Sequence, residues 1–231
     1  PVDSTGIVRY SNSLPGTTDT SFHIFDLVTQ TVDIAGETLL LHPWGAAHLI
    51  GRNMLLISDL HLGKVMHFRK FGAAVPRTAL LENFRRLEKL ENEFSPETIC
   101  FLGDLFHSHK NREWELFQRW TAASRARLVL VEGNHDILSP HLYEGLGMQL
   151  YREWETGPFT LTHHPTETAE AFNIAGHIHP AVRLGGRGRQ RLRLPCFFLR
   201  PQQLILPAFG AFTGMHAEVV ALDRIPAQKQ P

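Results

Sequence analysis

The chain has 231 residues, 43% of them apolar, which is enough to build one sizeable core. Its 23 basic and 23 acidic side chains give a formal net charge of zero, so bulk charge does not indicate a nucleic-acid partner. No run approaches the ~20 apolar residues of a transmembrane helix, so the sequence predicts no membrane-spanning helix.

Apolar runs of strand length alternate with amphipathic segments along the chain. The polar first 30 residues predict a loose N-terminal segment without a secretory signal, and residues 31–225 predict a single domain. Strands are predicted at 39–41, 47–50, 54–57, 98–102, 127–131, 159–162, 172–175, 181–184, 191–199 and 203–206. Helices are predicted at 78–94, 113–123 and 140–146. This order predicts an α/β (α+β) fold, a four-layer αββα sandwich of two mixed β-sheets flanked by helices.

The two cysteines lie far apart, each in an apolar run, without the paired spacing of a disulfide framework or zinc ribbon. Buried, reduced thiols at Cys100 and Cys196 suit a cytoplasmic protein. The 14 histidines are a high count, and imidazole is a common neutral metal ligand.

Five short polar groups each come directly after an apolar run of strand length. They are Asp59-Leu60-His61, Gly103-Asp104, Gly133-Asn134-His135-Asp136, His163-His164 and Gly176-His177-Ile178-His179. Strand ends in an open sheet lie side by side, so these residues can converge at one rim. Each group alone is typical of a turn, but five in this order predict a metal site at the carboxyl ends of the strands. Carboxylate, amide and imidazole ligands suit Mn, Fe, Ni or Zn.

The order D-x-H, G-D, G-N-H-D, H, G-H-x-H resembles the signature of the calcineurin-like metallophosphoesterases. The resemblance implies two divalent metals, manganese being the expected one, with a water or hydroxide between them attacking a phosphate ester. It assigns one metal to Asp59, His61 and His179, the other to Asn134, His163 and His177, and a bridging role to Asp104. His164 competes with His163 for the fourth group. His135 would donate a proton to the leaving group, and Asp136 would support the ligands from behind.

The chain is more closely similar to the bacterial DNA-ligase-associated metallophosphoesterases (PdeM). The likeness rests on three stretches, which are Ser58–Lys64, Gly103–Ser108 and Gly176–Ala181, together with Leu206–Gly214 near the end. It implies a phosphodiesterase or nuclease linked to DNA repair, acting on DNA or RNA beside a DNA ligase, a helicase and a nuclease. His107-Ser108-His109 replaces the Asp-Arg-Gly of protein phosphatases, which makes a protein phosphatase the weaker interpretation.

Arginines crowd the segment 183–200, in which no acidic residue occurs. If this segment is a hairpin, Arg187 and Arg189 could follow a phosphate backbone. Arg69 and His107 are further predicted substrate contacts. The competing interpretation is that these charges are merely solvated.

Two other functions stay open at this stage. A small-molecule pyrophosphatase or phosphodiesterase, such as a UDP-sugar hydrolase, shares the Asp-Leu-His-Leu start, but it usually has His-Gly-Asp where this chain has His163-His164-Pro165. A non-catalytic, metal-stabilised interaction module would not need His135, whose presence argues against it.

Overall fold

The structure is a computed structural model that describes residues 7–8, 29–64, 77–166, 171–185, 191–211 and 213–214. Within these ranges the strands are β1 (Ile7–Val8), β2 (Gln30–Ile34), β3 (Glu37–Leu41), β4 (Ala47–Leu49), β5 (Met54–Ile57), β6 (Thr98–Leu102), β7 (Arg127–Val131), β8 (Gln149–Tyr151), β9 (Glu153–Thr156), β10 (Phe159–Thr162), β11 (Phe172–Ala175), β12 (Ala181–Gly185), β13 (Arg191–Pro195), β14 (Phe197–Arg200) and β15 (Gln203–Ile205). The helices are α1 (Arg77–Phe94), α2 (Arg112–Ala123) and α3 (Pro140–Glu144).

Two large mixed sheets dominate the fold. The seven-stranded sheet has the order β2-β3-β4-β5-β6-β7-β8, in which β5 to β8 are parallel. The six-stranded sheet has the order β1-β14-β15-β11-β10-β9, in which β10, β11 and β15 are parallel. Strands β12 and β13 form a separate two-stranded sheet. The predicted pair of mixed sheets with helices outside is confirmed.

Alternation along the central strands builds two cores, because successive side chains of a strand point to opposite faces. Leu56 and Cys100 face the six-stranded sheet and pack with residues such as Leu161 and Ile174. The residues that alternate with Leu56 and Cys100 along the same strands point to the opposite face. There they pack against the helices, together with residues such as Phe117. All three described helices bury apolar residues in this second core, such as Phe84, Trp114 and Tyr143, although Leu81 of α1 is exposed. None of them is long and apolar enough to span a bilayer.

The structure differs from the predictions at several element boundaries. The predicted strands do not include β1, β2, β8 and β9. Strand β1 is only two residues long and lies within the segment 1–30 that the sequence predicts to be loose, where it pairs with β14. The polar and partly exposed residues of the other three lack a continuous apolar run. The predicted strand 191–199 is two strands, which are separated at the buried Cys196. A short 3-10 helix takes up Ile50, and α3 ends at Glu144 rather than at 146.

Candidate metal centre

The five predicted polar groups lie at one rim of the two packed sheets. Asp59, Asp104 and Asn134 follow β5, β6 and β7, which are parallel neighbours. His163 and His177 follow β10 and β11, which are parallel neighbours in the facing sheet. The carboxyl ends of both sets of strands therefore open toward one site.

The first donor group consists of Asp59, His61 and His179, all of them buried. The Nε2 atom of His179 lies 3.0 Å from Asp59 Oδ1 and 3.5 Å from His61 Nε2. Burial lowers the pKa of His61 to about 3, so this imidazole is neutral and offers a lone pair. Burial alone would lower the pKa of His179 too, but the Asp59 carboxylate raises it. Asp59 Oδ1 and the two Nε2 atoms lie so close together that a proton or a cation is needed between their lone pairs.

The second donor group is centred on the buried His163. Its Nδ1 lies 2.9 Å from the carbonyl oxygen of Leu102, which can only accept a hydrogen bond, so Nδ1 carries the proton. Its Nε2 therefore turns a lone pair toward Asn134 Oδ1 at 2.9 Å and His177 Nδ1 at 3.1 Å. His163 Nε2 and Asn134 Oδ1 thus face each other as two acceptors with no proton between them, an arrangement that a cation stabilises.

Asp104 lies between the two donor groups. Its Oδ2 is 3.6 Å from His61 Nε2 in the first group, and its Oδ1 is 3.3 Å from His163 Nε2 in the second. Oδ1 also accepts the backbone N–H of His135 at 2.9 Å. One carboxylate thus presents one oxygen to each group, which is the arrangement of a ligand shared by two metals.

The backbone at these positions is unusual. Five of the predicted ligands adopt a left-handed conformation, with positive φ values of 52° at Asp59, 49° at His61, 51° at Asp104, 68° at His177 and 50° at His179. Non-glycine residues rarely adopt it, and each costs of order 1–3 kcal/mol. Such strain persists only where surrounding contacts impose it, and it concentrates at functional sites.

The donor set fits divalent cations. Oxygen and imidazole nitrogen donors suit borderline to hard ions such as Mn or Zn. Among the described residues the buried Asp59 Oδ1 makes no hydrogen bond of normal geometry, and its near neighbour is the His179 imidazole at 3.0 Å. The structure therefore supports metal binding by the predicted ligands, without indicating which metal is bound.

His135 and Asp136 follow Asn134 in the loop after β7. The exposed His135 ring lies 4.2 Å from the ring of His107 and 5.9 Å from that of His61, measured between ring centroids. Asp136 accepts three backbone N–H groups, from Leu105, Phe106 and Gly133, at 2.8–3.0 Å. Burial raises the pKa of Asp136 to about 6, despite these hydrogen bonds. It holds the two ligand-bearing loops together rather than facing the cleft.

The competing ligand and the predicted substrate contacts are not all found at the two donor groups. His164, the competing candidate for the fourth group, is exposed, and a ring nitrogen of it lies within 4.8 Å of ligand atoms of His163 and His177. Arg69, Arg187 and Arg189 lie outside the described residues. His107, by contrast, lies beside His135 at the site.

Sequence reasoning missed the residues that orient the imidazoles. The carbonyl of Gly214 accepts from His179 Nδ1 at 2.8 Å, as that of Leu102 does from His163. Backbone carbonyls carry no residue-type signal, so only the tertiary structure reveals them.

Comparison with known proteins places these observations in a wider context. The sequence profile of the calcineurin-like phosphoesterases matches residues 53–196. A crystal structure of a Pseudomonas putida nuclease, MPE, is similar at 31% identity with a TM-score of 0.69, covering 87% of this chain and 93% of that one. A protein of unknown function from Aquifex aeolicus aligns at 20% identity and a TM-score of 0.40, covering 55% of this chain and 78% of that one. No curated protein matches.

Proposed function

The chain belongs to the calcineurin-like phosphoesterase family, and on that premise we propose that it is a two-metal phosphodiesterase that cleaves nucleic acid in DNA repair. The family supports a metal-dependent hydrolase. The position of Asp104, with one carboxylate oxygen toward each of two donor groups, is the observation that carries the two-metal part of the proposal.

Each residue has a role that its contacts support. The first donor group would hold one cation, the second group the other, and Asp104 both. Divalent cations held by these residues would supply Lewis acidity, which activates a water and stabilises charge on phosphate oxygens. His135, exposed and anchored through its backbone to Asp104, is free to reach the leaving oxygen and donate a proton. Asp136 fixes the loop from which His135 projects.

Nucleic acid is the substrate that best accounts for the surroundings. The similar Pseudomonas putida protein is named a nuclease. In the β12–β13 hairpin, which begins two residues after His179, Arg183 lies opposite Arg193 in the strand register. The chain is rich in arginine and free of acidic residues from 183 to 200, a composition that suits a phosphate backbone. Arg69, Arg187, Arg189 and His107 remain the proposed substrate contacts.

The proposal extends to partners and compartment. A repair nuclease of this kind would work in the cytoplasm of a bacterium beside a DNA ligase, a helicase and a second nuclease. Co-purification of the tagged chain with these proteins from its host would test this part separately from the chemistry.

Activity of the purified protein with Mn²⁺ tests the chemistry. We expect bis-p-nitrophenyl phosphate to be hydrolysed faster than the monoester, and single-stranded DNA to be cut. His135→Ala should remove most of this activity, whereas His141→Ala, at an exposed histidine paired with Glu144, should keep it. A preference for the monoester, or equal activity of the two variants, would contradict the proposal.

Salt dependence separates nucleic acid from a small substrate. Cleavage of DNA should weaken steeply as ionic strength rises, because the protein displaces counterions from the phosphate backbone. Hydrolysis of a nucleotide sugar should respond much less. A shallow slope for DNA together with rapid hydrolysis of a nucleotide sugar would favour the small-molecule function instead.

A further inference from the structure

The loop after β15, comprising Leu206–Ala211 and Thr213–Gly214, runs across the first donor group, and we name it the C-terminal strap. It lies beyond the residues that the family profile matches. We propose that the strap is a positioning element that sets cation affinity at the first donor group and acts much less on the second. This inference rests on the proposed two-metal function.

The strap holds the strained backbone around Asp59. On one side of this segment, the Asp59 N–H donates to the Gly103 carbonyl at 3.2 Å. On the other side, the Phe209 N–H donates to the Ser58 carbonyl at 2.9 Å, and the Gly210 N–H to that of Asp59 at 3.2 Å. Because the φ of Asp59 is left-handed, its conformation depends on hydrogen bonds from both sides. Loss of the hydrogen bonds from the strap would release Asp59 from this conformation.

The strap also fixes the tautomer of His179. The Gly214 carbonyl accepts the proton of His179 Nδ1 at 2.8 Å. In the neutral imidazole Nε2 then has the lone pair, and it lies 3.0 Å from Asp59 Oδ1. Hydrogen bonds of this kind to a ligating histidine typically change metal affinity 10–100-fold when they are lost.

Buried contacts hold the strap in place. Asn83 of α1, a buried amide, accepts the Ala211 N–H at 2.9 Å, and Phe209 is completely buried in the helix-side core. A Cβ at Gly210 would lie 2.5 Å from the Leu60 carbonyl oxygen, so no larger residue fits there without displacing the loop. The position of the strap is therefore set by α1 and by the core.

The second donor group is held by other elements. His163 is oriented by Leu102 of β6, and the loop bearing Asn134 is fixed by Asp136. No hydrogen bond found among the described residues joins the strap directly to the side chain of Asn134, His163 or His177. The links to this group are indirect: the Leu206 N–H donates to the Ala175 carbonyl at 2.8 Å, and Asp59 Oδ2 accepts the His177 N–H at 2.8 Å. A disturbance of the strap should therefore weaken the first cation position more than the second.

The experiment measures Mn²⁺ binding by calorimetry on metal-free protein. Asn83→Ala removes the acceptor for the strap without touching a ligand. In a His163→Ala background, where the first position remains, Asn83→Ala should weaken Mn²⁺ binding ~10-fold or more. In a His61→Ala background, where the second position remains, the same change should alter binding less than ~3-fold. Gly210→Ala should give the same asymmetry.

Ser124→Ala is the matched control, because it removes a 2.6 Å hydrogen bond to Glu91 at the end of the helices that lies away from the site. It should lower the thermal midpoint as Asn83→Ala does, without changing Mn²⁺ binding in either background. Equal weakening in both backgrounds, or none, would overturn the strap proposal while leaving the two-metal function intact. A wild-type protein that binds no Mn²⁺ would instead refute the proposed function, and the strap proposal with it.

Discussion

Replacement of His163 by alanine tests the chemistry of the second donor group, and His164→Ala provides a control on the adjacent residue. The side chain of His163 is 1% exposed, and its Nε2 lies within 3.3 Å of donor atoms on Asp104, Asn134 and His177. His164 is exposed, although one of its ring nitrogens lies within 4.8 Å of ligand atoms of His163 and His177. The two neighbours should therefore behave very differently.

The expected magnitude follows from this geometry. Loss of a residue that only supports a ligand costs 10–100-fold in metal affinity, so loss of a ligand itself should cost more than ~100-fold. A catalytic cation stabilises the transition state by several kcal/mol, and ~4 kcal/mol corresponds to a rate ~10³-fold lower. We expect His163→Ala to reach these values, and His164→Ala to change either quantity less than ~10-fold.

Elemental analysis and Mn²⁺ calorimetry, combined with the rate of aryl phosphodiester hydrolysis, provide the assay. His163→Ala also leaves the Leu102 carbonyl without its partner, which costs about 1–3 kcal/mol of stability. Circular dichroism must therefore confirm that the variant is folded at the assay temperature. If His164→Ala lost one metal equivalent while His163→Ala kept both, the assignment of the second donor group would be wrong.

Three further predictions follow. His135→Ala should lower turnover ~10²–10⁴-fold while Mn²⁺ affinity is kept, and a parallel loss of metal in calorimetry would contradict its role as a proton donor. Gly133→Ala would drive a Cβ into the backbone and carboxylate of Asp104, so the rate should fall ~10²-fold or more, whereas Gly51→Ala, with room for a Cβ, should be neutral in the same assay. Burial, with help from nearby cations, lowers the pKa of His42 to about 4, so only the unfolded chain gains this proton as pH falls from about 6.5 to 4. The free energy of unfolding, measured by urea denaturation, should drop by about 2 kcal/mol over that window. The drop should be smaller in His42→Asn, which keeps a hydrogen-bond acceptor, and an equal drop in the two proteins would refute this prediction.

Much of the fold could be predicted because the central strands are buried on both faces. Strands such as Met54–Ile57 and Thr98–Leu102 are continuous apolar runs, and this pattern identifies them without any tertiary information. The outer strands Gln149–Tyr151 and Glu153–Thr156 have exposed, polar positions, and only their partners in the sheets make them strands. Their pairing is a long-range property that local residue patterns do not contain.

For the site, the sequence alone determined the types of ligand and their places after strands, because carboxylates and imidazoles beside glycines are visible residue by residue. Only the tertiary structure decided how they face one another. It placed one oxygen of Asp104 toward each donor group, and it set the tautomers of His163 and His179 through carbonyls 61 and 35 residues away. A carbonyl is common to every residue, so its use as a hydrogen-bond acceptor depends on folding, which brings distant segments together.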